Sequence, residues 1–110
     1  MSKSWQPHAR HILDAIAKIQ RIQARGDLTQ DDVLYDAALR NLQTLSESIQ
    51  HLPADKKNAY PDIPWRDITG FRNILVHNYL GNIDPSTIAT VIEQRLPALQ
   101  ACVQSMLADE

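Results

Sequence analysis

Glycine is scarce in this chain: three in 110 residues leave little material for the tight turns of an all-β fold. Cysteine is scarcer still. The single Cys102 cannot close an internal disulfide, and without Cys or His neighbours at ligand spacing it does not suggest a zinc site. It reads instead as a small buried hydrophobe. No run of about 18 apolar residues occurs, so no segment is expected to span a membrane. The opening MSKSWQPHAR lacks the apolar core of a secretory signal, and a cytoplasmic location is expected. Positive charge is not in surplus either: a net charge of −2 makes indiscriminate electrostatic capture of nucleic acid weak.

What is present points to helices. The chain is 44% hydrophobic and 22% charged, a globular balance, and its length suits one domain spanning 1–110. Charge is unevenly spread. Met1 to Arg25 carries five basic residues and one acid, whereas Gly26 to Asp55 carries six acids and only Arg40.

Ile12, Ile16, Ile19 and Ile22 step by helical spacing and predict an amphipathic helix from about Trp5 to Arg25, stopped by Gly26, with Lys18, Arg21 and Arg25 on a basic flank. Thr29-Gln30-Asp31-Asp32 resembles a capping sequence, with the Thr29 hydroxyl offered to the first free amides and acids in the first turn. The helix that follows has the stripe Ala38, Leu42, Leu45, Ile49 and Leu52, and Tyr35 and Glu47 lie on or beside it. PADKKNAYPDIP reads as a loop with room for a short helical turn. Pro64 is expected at the first position of a third long helix, with Trp65, Ile68, Phe71 and Leu75 facing inward and Gly81 as its stop. Asp84-Pro85 opens the last helix, whose stripe is Ile88, Val91, Ile92, Leu96, Leu99, Val103 and Leu107, with a kink expected at Pro97. An antiparallel helical bundle buries four such stripes.

FRNILVHNYLG, from Phe71 to Gly81, sets Arg72, Asn73, His77 and Tyr79 around an apolar centre. At 100° per residue, Asn73 and His77 project within about 40° of each other, and Arg72 and Tyr79 within about 20°. Arg72 and His77 are about 140° apart, so a second copy of the helix, related by two-fold symmetry, would converge them better than one chain does. The chemistry such groups suit is attack on phosphate. Arginine presents a planar fork of donors that matches phosphate oxygens and stays charged as negative charge builds on phosphorus. Histidine can take a proton from a ribose 2′-hydroxyl or give one to the leaving 5′-oxygen, and no metal or cofactor is needed for that. A histidine close to a helix C-terminus is favoured in its protonated form, so the His77 pKa is expected to be raised. His8, His11 and His51 have no matching constellation. Read by spacing alone, such groups are usually ordinary surface side chains.

IPWRDITGFRNILVHNYLGNID, together with LPALQ at Leu96 to Gln100, resembles the HepT-like toxin family of the HEPN superfamily. The family mark of Arg, four residues, His, one residue, Tyr is matched by Arg72, His77 and Tyr79, with Asn73 after the Arg. The resemblance implies an all-α, antiparallel bundle of four or five helices that dimerises, with Arg72 and His77 of both subunits lining a shared cleft. It implies a metal-independent endoribonuclease acting on RNA as the toxin of a toxin-antitoxin pair. By the same likeness Asn73 orients His77 or a phosphate. The resemblance likewise implies an MNT-type nucleotidyltransferase antitoxin as partner, with Tyr79 the candidate residue for its modification with AMP. Family members carry an Ile-Gly-Glu-Ala-like stretch in the second helix; here Leu45-Ser46-Glu47-Ser48 keeps the Glu as a supporting residue, without the Gly. The other reading the superfamily allows is a non-catalytic helical subunit that binds a nucleotidyltransferase.

Overall fold

A computed structural model of the chain describes residues 4–77 and 83–109. Among them it forms five helices: α1 (Gln6–Arg25), α2 (Asp32–Ile49), α3 (Ala54–Asn58), α4 (Trp65–His77) and α5 (Pro85–Ala108). The side chains of residues 74–77 lie outside the described part, as do Tyr79 and Gly81.

α1 is the central element. Ala9, Ile12, Ala15, Ile16 and Ile19 are buried along one face of it, as the spacing predicts. It packs against α2 on one side and α5 on the other, while α4 packs against α2. The chain leaves α1 through Gly26, whose backbone is extended (φ 162°, ψ −171°) and would suit any residue. A Cβ there would stand 3.0 Å from Leu34 Cδ1, in the first turn of the returning α2, so a larger residue would make the tip of that side chain shift by a few tenths of an ångström.

The cap of α2 is not Thr29. Asp31 accepts from the Val33 and Leu34 amides at 2.9 and 3.3 Å. Thr29 instead donates its amide and hydroxyl to Asp27 Oδ1, at 2.9 and 2.7 Å. These two bonds, the amide's first, hold the Asp27 carboxyl below the usual carboxylate range. The turn so formed lets Leu28 bury before the helix begins.

After α2, Leu52 is buried and α3 supplies the short helical turn between prolines. The Trp65 indole N–H donates to the Lys57 and Tyr60 carbonyls, at 3.0 and 3.1 Å, and so fastens that loop to the start of α4. Pro64 sits one position earlier than expected, as the cap, its carbonyl accepting from the Ile68 amide at 3.0 Å. Asp84 caps α5 by accepting from the Ser86 amide at 3.1 Å, with Pro85 opening the helix as read from the sequence. α5 runs unbroken through Pro97, which faces solvent. Its buried face is Ile88, Ile92, Leu96, Leu99, Cys102, Val103 and Met106. Cys102 is a core residue, and burial pushes its thiol up to about 11, so it stays protonated and unreactive at neutral pH.

Candidate active site

α4 brings Arg72 to the edge of the bundle, where its side chain is 26% exposed and meets Glu47 on α2. Nη2 donates to Glu47 Oε1 at 3.3 Å, and Nη1 donates to Asn73 Oδ1 at 3.4 Å. Nε is buried, and no acceptor among the described residues meets it. An anion arriving at this arginine must therefore be met by the Nη groups, and it must compete with the Glu47 carboxylate to reach them. Both contacts are long and Glu47 is 56% exposed, so the pair holds the guanidinium weakly.

Of the residues singled out in the sequence, Arg72, Asn73 and Glu47 are thus in contact. Asn73 is exposed, and its carbonyl oxygen is used by Arg72. His77 is the last described residue of α4, five positions beyond Arg72. Glu47 is flanked by Ser46 and Ser48, buried to 3% and 6% exposure. Ser46 also lines a mostly apolar cavity of about 290 Å³ between α2, α4 and α5, with Ile68, Phe71, Val91 and Leu99.

Other contacts that spacing within one helix did not reveal tie the elements of the bundle together. The Tyr35 hydroxyl donates to the Ile83 carbonyl at 2.6 Å and ties the first turns of α2 to the chain entering α5. Burial, then the Asp36 and Asp84 carboxylates, raise the Tyr35 pKa. His8 and His51 stack with ring centroids 4.2 Å apart and planes at 15°, joining the start of α1 to the end of α2. Lys56 lies 5.1 Å from the Trp5 ring centroid. An open groove of about 760 Å³ runs between α1 and α2 and has Glu47 and Ser48 in its wall. No three His, Cys, Asp or Glu side chains among the described residues are grouped so as to hold a metal ion.

A helical bundle that carries Arg72 and His77 on one edge helix, with a glutamate of the neighbouring helix on the arginine, has the architecture expected of a HEPN domain. The chain matches the family described as Ribonuclease HepT-like over residues 12–106, and it belongs to that family. It is 30% identical over 111 residues to a protein of Caldanaerobacter subterraneus named "Putative RNase", a match that covers 98% of each chain. It is 28% identical over 105 residues to "Probable ribonuclease HepT" of Thermococcus cleftensis, covering 91% of this chain and 93% of that one. A Methanocaldococcus jannaschii protein named "Gamma-glutamylcyclotransferase and putative RNase" is 30% identical over 105 residues, which are 91% of this chain and 46% of that protein. No solved structure gives a significant match.

Proposed function

We propose that the protein is a metal-independent endoribonuclease of the HEPN type, the toxin of a toxin-antitoxin pair, working as a homodimer. The observation that carries this reading is the contact of Arg72 with Glu47 and Asn73 at the bundle edge, on the helix that also bears His77, in a chain of the ribonuclease HepT-like family. Arg72 binds the scissile phosphate through its Nη groups, displacing Glu47, and stabilises the charge that builds on the phosphorane oxygens. The ribose 2′-oxygen attacks phosphorus as the P–O5′ bond breaks. One imidazole takes the 2′-hydroxyl proton and another gives a proton to the departing 5′-oxygen, leaving a 2′,3′-cyclic phosphate and a 5′-hydroxyl. Two copies of His77, one from each subunit, supply both roles. Asn73 stays beside Arg72 in the bound complex, and Glu47 orients the guanidinium until phosphate takes its place.

Tyr79 is the proposed site of inhibition. A nucleotidyltransferase partner transfers AMP to the tyrosine oxygen from a nucleoside triphosphate, releasing pyrophosphate. The added phosphate and bulk both oppose RNA in a cleft that depends on Arg72. The accessory-subunit reading draws support from the net charge of −2 and from the neutralisation of Arg72 by Glu47. Cleavage of a labelled RNA by the purified protein, with and without chelator, separates the two. Cutting that survives chelator and ends in a cyclic phosphate is expected. No cutting by a folded protein, joined to stable binding of a nucleotidyltransferase, would leave the accessory reading standing.

A further inference from the structure

The basic flank of α1 has no part in the chemistry described above, and the fold leaves it uncovered. At 100° per residue, Arg10, Lys18, Arg21 and Arg25 fall within an arc of about 80°, opposite the buried face of Ala9, Ile12, Ile16 and Ile19. All four are exposed. On one edge the arc is bounded by His11, which lines the groove toward α2, and on the other by Gln20, whose amide donates to Gln100 Oε1 of α5 at 3.4 Å. Asp14 is the one acid on it, and none of the four cations forms an ion pair with a described residue.

We propose that this face of α1 docks the RNA backbone away from the scissile linkage, with Lys18, Arg21 and Arg25 as phosphate contacts and Arg10 as an outlying one. That the polyanion is RNA rests on the ribonuclease reading; that the face takes a polyanion rests on its charges. Beyond Arg25 the chain holds twelve acids against six bases, so positive charge is gathered on this helix rather than spread over the molecule. The gathering works against the helix itself. Lys18 and Arg21, then Arg21 and Arg25, are like-charged neighbours three and four residues apart, an arrangement that destabilises a helix. The helix dipole offsets this in part for Arg25, which lies in the last turn.

The form of the array selects a linear polyanion over a compact anion. Lys18, Arg21 and Arg25 span about 10.5 Å at about 1.5 Å per residue, a length that holds roughly three phosphates of one strand at about 3.4 Å each. A lone phosphate or carboxylate would meet one or two of these side chains and leave the rest repelling one another. A strand meets all three, and each cation that reaches a phosphate releases a counterion from it. The candidate active site lacks this attraction, because Arg72 is matched there by Glu47 and the net charge of the chain is −2. Hold on the polymer and cleavage of the bond thus fall to different helices, α1 and α4.

The test is fluorescence anisotropy with a single-stranded RNA of about twelve nucleotides, carrying 2′-methoxy groups throughout so that cleavage plays no part. Lys18→Gln, Arg21→Gln and Arg25→Gln together are expected to weaken binding by about tenfold or more and to lower the log–log salt slope by about 2, the share of three phosphate contacts on a single strand. Arg21→Gln alone should lower the slope by about 0.7. Arg95→Gln on α5, an equal change in net charge at an exposed position outside the arc, should leave it unchanged. A parent protein that does not bind the strand would overturn the assignment, and so would a triple variant, folded by circular dichroism, with the parent's affinity and slope. Equal losses from Arg21→Gln and Arg95→Gln would overturn it too, by making the attraction a matter of net charge. A loss of binding accompanied by a fall in sedimenting mass would do the same, because the face would then join copies of the chain. Binding that depends on α1 in a parent protein that cleaves no RNA would uphold the face and sink the ribonuclease reading alone.

Discussion

α1 and α4 are both amphipathic helices with a polar outer face, but they stand very differently in the molecule. Ile12, Ile16 and Ile19 of α1 are wholly buried, with α2 on one side and α5 on the other. Trp65, Ile68 and Phe71 of α4 are only half-buried, α2 is its main support, and the cavity of about 290 Å³ lies on the side toward α5. The residues with chemistry to offer ride on the second kind of helix. An edge element with few buried contacts opens locally at small cost, which is what the proposed site, admitting a polymer and exchanging an ion pair for a phosphate, would require. A buried helix could not present Arg72 to two ligands in turn.

That contrast predicts that function and stability separate by helix. The largest effect is expected on α4: His77→Ala should lower RNA cleavage by about 10² to 10⁴, with a thermal midpoint close to the parent's. Full activity in that variant, or loss of activity through unfolding seen by circular dichroism, would break the division. On α1 the order reverses. Ile16→Ala should cost about 2–5 kcal/mol of stability by leaving a cavity in the core, read by urea unfolding, while the protein that remains folded cuts RNA normally.

How much of this was legible in the sequence follows from the range of each signal. The stripes of α1, α2 and α5 were readable because burial repeats every three or four residues along one segment. Asp84-Pro85 was readable for the same local reason. Thr29-Gln30-Asp31-Asp32 was only half-readable: three of its side chains can cap a helix, and the choice of Asp31 goes with the turn in which Asp27 engages Thr29 and Leu28 buries. The contacts that define the site were not readable. Arg72 and Glu47 are 25 positions apart, Tyr35 and Ile83 are 48 apart, and no periodicity within a helix joins them. A resemblance to a family supplied Arg72, His77 and Tyr79 as a set, but the partner on α2 that holds the arginine came from the packing of two helices.

Tyr35 sharpens the comparison with a smaller effect, because it fastens the chain that follows the edge helix. Tyr35→Phe removes one hydrogen bond and should cost about 0.5–1.5 kcal/mol, with faster amide exchange where the chain enters α5. It should also flatten stability at high pH. The raised Tyr35 pKa means that the unfolded chain, titrating at its ordinary value near 10, loses this proton first. The contribution is therefore complete below about pH 10 and declines as pH rises toward the folded value. A parent protein whose stability between neutral and alkaline pH matches that of Tyr35→Phe would show that the bond does not hold in solution.

The smallest change in stability is expected at the ion pair itself. Glu47→Ala removes a partner that is more than half exposed and 3.3 Å from the arginine, so unfolding should shift by no more than about 1 kcal/mol. Its effect on the reaction has two opposed parts. Losing the carboxylate frees the Nη groups from a competitor, which should strengthen binding of phosphate. Losing the carboxylate also opens space beside the guanidinium, so that a long side chain samples geometries that do not face the scissile bond, which should lower the rate of the bound complex. Both parts are modest, because Arg72 keeps its charge and Asn73 remains beside it. The expected outcome is a lower KM and a kcat reduced by about tenfold at most, a shift in the barrier of about 1.4 kcal/mol. A fall in kcat with KM unchanged would leave Glu47 as a support alone, and a loss as deep as that of His77→Ala would place the carboxylate in the proton transfers.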